Sequence, residues 1–344
     1  MGVPVVKLLA GNHNDVYVTT RKSMEVNGGN IHYIQGNAKE LDFVRDILRQ
    51  RFDVVIDFMV YSPELFKERM ELFLNNAGQY IFLSSARVYA DVGGLITEKS
   101  PRLLDVAQDK EYLKTDEYAL AKAREEDMLR ESGYVNWTIV RPYITYNDHR
   151  LQLGVLEKED WLLRVLEGKK LVFSRDIAGH YTTLTYGGDV ALRIAALAGC
   201  EDALGQTFHI TGKESIQWEQ VLEIYLDVLE EKTGRRPEIC WLEDAELVAR
   251  ACHNIYQIKY DRLFDRIFAP SKAEHFLQGE CAYRGVSEGL RECMSDFLEG
   301  DRTFQGRNWR LEGAFDRAAG ETTDIRKIPG WKKKIRYLQG YIKK

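Results

Sequence analysis

One stretch in the middle of the chain constrains the fold more than any other, because it alternates strand, helix and strand. Residues 80–85 are an apolar run that ends in two serines, which predicts a buried strand with Ser85 at its carboxyl end. Residues 117–132 have a helical pattern, and residues 136–142 form a second strand that ends at Pro142. Strands joined through a helix pair in parallel, so this pattern predicts an α/β fold with an open parallel sheet.

Candidate chemistry lies on the helix of this stretch. Tyr118 and Lys122 are spaced i, i+4 and therefore share one helix face. Ligands of open parallel sheets bind outside the carboxyl ends of the strands, so Ser85 and Pro142 are expected to border the same crevice. A pair of this spacing is also common on a solvated helix face, but the serine before it and the Arg-Pro after it favour a site.

These residue types suit proton transfer. A free tyrosine has a pKa of about 10, too high for a base at neutral pH. An ammonium group one helical turn away favours the phenolate. Such a tyrosine can exchange a proton with a substrate hydroxyl.

The order of these motifs resembles the extended short-chain dehydrogenase/reductase family, the NAD-dependent epimerase/dehydratase group, from residue 2 to about residue 300. Residues 135–146 look most like its atypical branch, which includes the chloroplast stem-loop-binding proteins. The resemblance implies that Tyr118 exchanges the proton, that Ser85 hydrogen-bonds the reacting oxygen and that Lys122 also holds the nicotinamide ribose. Ser84 is expected to serve the structure instead.

The beginning of the chain departs from this family. Residues 2–11 are predicted to form a helix and residues 15–20 a strand, whereas the family places a further strand and a glycine-rich phosphate turn before that helix. Gly2 occupies the place of the last glycine of that turn. The expectation is a start codon called too late, with strands 15–20 and 53–57 facing a gap. The alternative is a degenerate member that binds no dinucleotide.

The resemblance also implies which residues bind the cofactor. Arg21 and Lys22 follow a strand at the point where an arginine accommodates the 2′-phosphate of NADP, so NADP is slightly favoured over NAD, and a charged turn is the alternative. Met59 and Val60 are bulkier than the small residues usual there. The full set is Gly2, Thr20, Arg21, Lys22, Asn37, Ala38, Phe58, Met59, Val60, Lys122, Pro142 and Tyr143.

Composition excludes several classes of function. The 344 residues carry a formal net charge of −5, which argues against general nucleic-acid binding. The five cysteines are widely spaced and the histidines lack ligand spacing, so neither a disulfide framework nor a metal site is predicted; His149 and His180 are expected to be structural. Without a membrane-spanning stretch or signal peptide, the cytoplasm is expected. The basic run at residues 331–336 is interpreted as a solvated tail.

The predicted fold is therefore a doubly wound, Rossmann-like parallel sheet that lacks its first strand and glycine-rich turn, with a smaller C-terminal α/β substrate lobe. Residues 1–146, with a strand and helix at about 180–211, form the dinucleotide-binding domain; residues 147–179 and 212–344 form the substrate lobe and tail. Helices 63–77 and 117–132 correspond to the pair that forms the dimer interface in many relatives, which implies a homodimer.

The predicted activity is NAD(P)-dependent epimerisation or keto-group reduction of a nucleotide-linked sugar. A 4,6-dehydratase is disfavoured, because such enzymes need an Asp-Glu pair after the catalytic Ser/Thr, and Ala86 and Arg87 stand there. The alternative is a non-catalytic protein on the same scaffold, with RNA as a candidate ligand and a degenerate cofactor site.

Overall fold

The computed structural model of the chain describes residues 1–24, 29–277 and 281–342. Its strands are β1 (Val16–Thr20), β2 (Ile31–Gln35), β3 (Phe52–Asp57), β4 (Ala77–Leu83), β5 (Trp137–Pro142), β6 (Thr145–Tyr146), β7 (Leu171–Ser174), β8 (Tyr181–Thr182), β9 (Thr185–Tyr186), β10 (Gln206–Ile210), β11 (Ile216–Gln217) and β12 (Ile239–Leu242). Its α-helices are α1 (Gly2–Gly11), α2 (Leu41–Leu48), α3 (Pro63–Asn76), α4 (Leu103–Val106), α5 (Lys110–Leu113), α6 (Tyr118–Glu131), α7 (Lys158–Leu166), α8 (Arg175–Ala178), α9 (Gly187–Leu197), α10 (Trp218–Thr233), α11 (Glu246–Cys252), α12 (Ile255–Gln257), α13 (Val286–Glu299), α14 (Trp309–Ala319) and α15 (Trp331–Ile342).

These elements divide into two compact units. The first contains Met1–Thr145, Thr185–Lys213 and Phe268–Tyr283, and the second contains Tyr146–Leu184, Glu214–Ile267 and Arg284–Lys344. The sequence prediction had left residues 268–283 in the second unit.

The sheet of the first unit is parallel, as predicted. Its order is β10-β5-β4-β3, and β1 pairs in parallel with β2 in a separate two-stranded sheet. Among the described residues, β1 and β3 share no strand pairing, which agrees with the expected gap between them. The rings of Tyr17 and Phe52 meet edge to face across this gap, 5.4 Å apart.

The core lies on both faces of this sheet. Because successive side chains of a strand point to opposite faces, Tyr80 and Phe82 of β4 pack with α3, while Ile81 and Leu83 pack with α9. Sequence signals set the helix bounds. Ser62 caps α3, its hydroxyl accepting from the Leu65 N–H at 3.4 Å.

In the second unit, β7 pairs in parallel with β12, and β8 pairs antiparallel with β11. A buried ion network joins α7 to α14. The guanidinium of Arg164 contacts Asp316 Oδ1 at 2.7 Å and Glu312 Oε1 at 3.1 Å, and Lys169 reaches the same Asp316 oxygen at 2.6 Å. All three Arg164, Glu312 and Asp316 side chains are almost fully buried, so this network fixes the position of α14.

Residues 331–336 are largely exposed, in line with their interpretation as a solvated segment, but they are helical and do not form a free tail. They begin helix α15, which packs against α14 through two glycines. A Cβ atom on Gly340 would lie 1.9 Å from the Arg310 carbonyl oxygen, and one on Gly313 would lie 2.1 Å from the Tyr337 carbonyl oxygen. Only glycine allows two helix backbones to approach this closely.

Candidate active site

Arg87 contacts both Ser85 and Tyr118. Ser85 follows β4, and its Oγ accepts a hydrogen bond from the Arg87 backbone N–H at 3.2 Å. The Arg87 guanidinium lies 5.3 Å from the centre of the Tyr118 ring. Ser85 is 7% exposed, and Tyr118, the first residue of α6, is half-buried. In the described part of the chain, the Ser85 hydroxyl donates its proton to no other group.

Glu117 holds Arg87 in this position. Its Oε1 accepts from Arg87 Nη2 at 2.5 Å, and its Oε2 accepts from the Ala119 N–H at 2.9 Å, which caps α6. Sequence reasoning assigned neither Arg87 nor Glu117 to the site. The available signal was an acidic residue directly before the tyrosine at the start of a helix.

A second buried network surrounds Glu126. Its carboxylate accepts from Ser84 Oγ at 2.6 Å, from Arg141 Nε at 2.7 Å and from Arg102 Nη1 at 3.4 Å. Burial alone would raise the pKa of Glu126, but the hydrogen bond and charge of Arg141, with further help from Arg130 and Ser84, lower it. Ser84, the first of the two serines, and Arg141 thus both bind the carboxylate of Glu126, which links β4, α6 and β5.

Lys122 lies in the protein interior. Its ammonium donates to Glu125 Oε2 at 3.0 Å and lies 4.4 Å from the centre of the Phe82 ring. Lys122 is 1% exposed. Among the described residues, the contacts of its ammonium do not include the predicted one with Tyr118.

Glu125 is poorly solvated for a carboxylate. Its Oε1 is buried and has no hydrogen-bond partner among the described residues. Burial raises the pKa of Glu125 to about 7, although Lys122 acts to lower it. Asp57 lies in the same region at the end of β3, where it accepts from the Tyr80 hydroxyl at 2.9 Å, and burial raises its pKa. The Lys122 ammonium is therefore a single positive charge close to two buried carboxylates, those of Glu125 and Asp57.

Most of the predicted cofactor-binding residues follow the carboxyl ends of strands. Phe58 and Val60 are exposed after β3, and between them the Met59 N–H donates to Asp57 Oδ1 at 2.9 Å. Tyr143 is different, because it is 1% exposed and its hydroxyl has no partner among the described residues. The remaining members lie as follows: Thr20, Arg21 and Lys22 after β1, Asn37 and Ala38 after β2, Pro142 at the end of β5, and Gly2 at the start of α1.

The described residues, the candidate site included, contain no group of three or more histidine, cysteine or carboxylate side chains that could hold a metal ion. The cysteines are free thiols. His180 Nδ1 lies 3.0 Å from Asp265 Oδ1, and the His149 side chain is exposed. Among the described helices, none has both the length and the apolar character needed to cross a membrane.

Comparison with known sequences gives no assignment, since no family model and no curated protein matches the chain. Solved structures do match. The UDP-glucuronic acid 4-epimerase from Bacillus cereus, in complex with UDP-glucuronic acid and NAD, has a TM-score of 0.61 and 16% identity over 86% of this chain and 95% of that chain.

Two further structures have the same fold. The dTDP-glucose 4,6-dehydratase from Bacillus anthracis str. Ames, in complex with NAD, has a TM-score of 0.58 and 15% identity, covering 81% of this chain and 83% of that chain. An epimerase from Methanothermobacter thermautotrophicus has a TM-score of 0.61 and 13% identity, covering 87% and 90%.

Together, the parallel sheet and these matches define a Rossmann-like α/β protein. The chain shares its fold with the UDP-glucuronic acid 4-epimerase and the dTDP-glucose 4,6-dehydratase, and the predicted α/β fold class is confirmed.

Proposed function

We propose that this protein carries out NAD(P)-dependent epimerisation or keto-group reduction of a nucleotide-linked sugar. The carrying observation is that Arg87 joins Ser85 and Tyr118, with its N–H on the Ser85 hydroxyl and its guanidinium over the Tyr118 ring. Structures with this fold have been solved with NAD and with UDP-glucuronic acid. Because identity to them is low, fold alone does not specify the sugar.

The residues at the carboxyl edge of the sheet suit the phosphate groups of a dinucleotide better than its nicotinamide ring. Open space surrounds Gly2 at the start of α1, where no atom lies within 4 Å of an added Cβ, and the first turn contains no acidic residue. A helix N-terminus of this kind suits a phosphate group. At the proposed nicotinamide end, Ser85 is buried and Tyr118 is half-buried, while Glu125 pairs with the ammonium of Lys122.

In the proposed reaction, Tyr118 gives or takes the proton of a sugar hydroxyl, and Ser85 donates a hydrogen bond to the reacting oxygen. The bound cofactor supplies hydride exchange at its nicotinamide ring. Arg87 provides positive charge beside the Tyr118 ring. Glu117 positions that charge. Lys122 has a structural role in this proposal: its ammonium pairs with Glu125 inside the protein and stabilises α6.

The cofactor preference that we propose is NADP. Arg21 and Lys22 are exposed after β1 and have no ion-pair partner among the described residues, so both are available for a 2′-phosphate. The matched structures contain NAD, so both cofactors have to be compared.

Fluorescence titration with NADPH and with NADH tests whether the protein binds a nicotinamide cofactor and whether it prefers NADP. We expect NADPH to bind more tightly, and Arg21→Gln/Lys22→Gln to weaken NADPH binding about 10-fold or more while leaving NADH binding unchanged. Lys99→Gln/Lys110→Gln, at two exposed lysines elsewhere in the first unit, is the matched control. Equal affinity for both cofactors would remove the NADP preference.

Activity tests the catalytic assignment. Tyr118→Phe removes only the hydroxyl, so cofactor binding should persist while turnover falls at least about 100-fold. The substrate for this assay is a co-purified nucleotide sugar identified by mass spectrometry.

Arg87→Gln should lower turnover of the same substrate. Circular dichroism should show that this variant remains folded. Full activity in Tyr118→Phe would refute the proton-transfer assignment.

A second candidate function is a non-catalytic binding protein on the same scaffold. The observation that favours it is the burial of Lys122 against Glu125, which takes the ammonium away from a role in holding a ribose. Under this reading, neither cofactor binds at millimolar concentration, and Tyr118→Phe leaves every binding property unchanged.

A further inference from the structure

Helix α15 carries an exposed apolar stripe. Trp331 is 67% exposed, Ile335 45% and Ile342 70%, and Leu338 is half-buried between them. These positions are spaced i, i+4, i+7 and i+11, so they follow one line along the helix. Large apolar side chains that recur on one solvent-facing line are unusual for a surface that only meets water.

Basic residues flank this stripe. After Asp324, the remaining sequence contains eight lysines and arginines and no acidic residue, in a chain whose net charge is −5. On α15 itself these are Lys332, Lys333, Lys334 and Arg336, and none of them has an ion-pair partner among the described residues. With 3.6 residues per turn, Lys332 and Arg336 lie on one side of the stripe and Lys334 on the other.

The lysines do not stabilise the helix that carries them. Three of them occupy its first turn, where the positive end of the helix dipole disfavours cations. An external anion near this turn would offset that unfavourable interaction.

Helix α15 is held rigidly behind the stripe. Its buried face includes Tyr337 and Gly340, and the Tyr337 hydroxyl donates to Asp316 Oδ2 at 2.8 Å while accepting from the Thr323 N–H at 2.9 Å. The exposed face is thus presented by a fixed element of the second unit, without any need for folding on contact.

We propose that α15 docks on an anionic lipid surface, lying in the plane of the membrane with Trp331, Ile335 and Ile342 inserted at the level of the headgroups. Flanking cations and a tryptophan beside aliphatic residues are the features of interfacial helices. A nucleic acid would satisfy the charges but would leave the apolar stripe without a partner. This inference goes beyond the proposed function, and it departs from the sequence expectation of a protein without membrane contact.

Co-sedimentation of the full chain with phosphatidylcholine vesicles, with and without phosphatidylserine, tests the proposal. We expect binding only when phosphatidylserine is present, with a decrease on added salt. Lys332→Gln/Lys333→Gln/Arg336→Gln should weaken binding about 100-fold, at about 5-fold per charge. The matched control, Lys99→Gln/Lys110→Gln/Lys213→Gln, changes the same total charge at exposed lysines of the first unit and should bind as the wild type does.

The apolar stripe is tested separately from the charge. Trp331→Ala/Ile335→Ala keeps every lysine and should weaken vesicle binding at least about 10-fold, whereas Leu95→Ala/Val106→Ala, at exposed positions elsewhere, should not. Circular dichroism melting confirms that each variant is folded. The proposal is overturned if phosphatidylserine vesicles do not bind, if the Trp331/Ile335 variant binds them as well as the wild type, or if an RNA oligonucleotide binds through the lysines alone.

Discussion

Two adjacent glutamates on α6 have opposite electrostatic environments. Glu126 accepts hydrogen bonds from Ser84, Arg141 and Arg102. Glu125 accepts one from Lys122, and its other, buried oxygen has no partner within the described parts of the chain. A buried carboxylate is stabilised as an anion only when donors replace its lost hydration. The pKa of Glu126 is accordingly lowered and that of Glu125 raised, although the two side chains start from neighbouring positions.

We expect Glu126→Gln to lower the unfolding free energy by about 3–5 kcal/mol, because Arg141 would be left buried without its carboxylate. Since the folded-state pKa of Glu126 is depressed below its ordinary value of 4.5, its stabilisation is present above that pH and is lost as the pH falls through the folded-state pKa. Urea denaturation at several pH values measures both effects. Asp42→Asn, which breaks an exposed pair with Arg45, should cost about 1 kcal/mol or less; an equal loss in both variants would contradict the argument.

For Glu125 the pH dependence has the opposite sign. Its folded-state pKa of about 7 lies above the ordinary value of 4.5, so the folded protein holds a proton that the unfolded chain has released. The unfolding free energy of the wild type should therefore fall, relative to that of Glu125→Gln, as the pH rises through this interval. Glu131→Gln, at an exposed position of the same helix, is the control. A difference that stays constant with pH would show that Glu125 ionises normally.

At the level of elements, close helix approach decides the position of α15. Gly313 and Gly340 allow α14 and α15 to meet at backbone distance. The ion pair of Arg164 with Asp316, whose carboxylate also accepts from the Tyr337 hydroxyl of α15, holds α14 in place. The stripe of α15 is exposed because the opposite face of the same helix is taken up by this contact.

Gly340→Ala should therefore destabilise the second unit. The added methyl group would meet the Arg310 carbonyl oxygen at 1.9 Å, so the helices must separate, at a cost of about 1–3 kcal/mol. Gly179→Ala is the matched control, because Gly179 has a φ of −78° and open space around it; that variant should be neutral or slightly stabilised. Thermal melting compares the two. Equal melting temperatures would show that the helix crossing adapts without strain.

At the level of the whole molecule, we expect a homodimer formed through α3 and α6. Leu65 of α3 is 43% exposed on a surface that is otherwise charged, and burying it against a second copy removes apolar area from water. Light scattering should give twice the chain mass of 39.7 kDa. Leu65→Asp should yield the single-chain mass, while Val106→Asp, at another exposed apolar position, should not. A single-chain mass for the wild type at every concentration would exclude this dimer.

Regular elements were predictable from local patterns. The strands around Ser85 and Pro142 and the helix that begins at Tyr118 follow from apolar runs and capping residues, and the structure has them within a few residues of the predicted bounds. The interaction partners of individual side chains were less predictable. Lys122 lies one turn from Tyr118 and within one turn of Glu125, and sequence spacing does not distinguish these two partners.

The amino-acid sequence by itself determined the alternation of strands and helices, the parallel sheet and the residues at its carboxyl edge, because these depend on periodicity and on local backbone preferences. Only the tertiary structure decided that Arg87 joins Ser85 to Tyr118, that Glu125 holds Lys122 and that α15 turns an apolar stripe outward. Those outcomes depend on which side chains, distant in sequence, pack together in the protein interior. Burial then determines the charge state of a carboxylate and which face of a helix remains exposed.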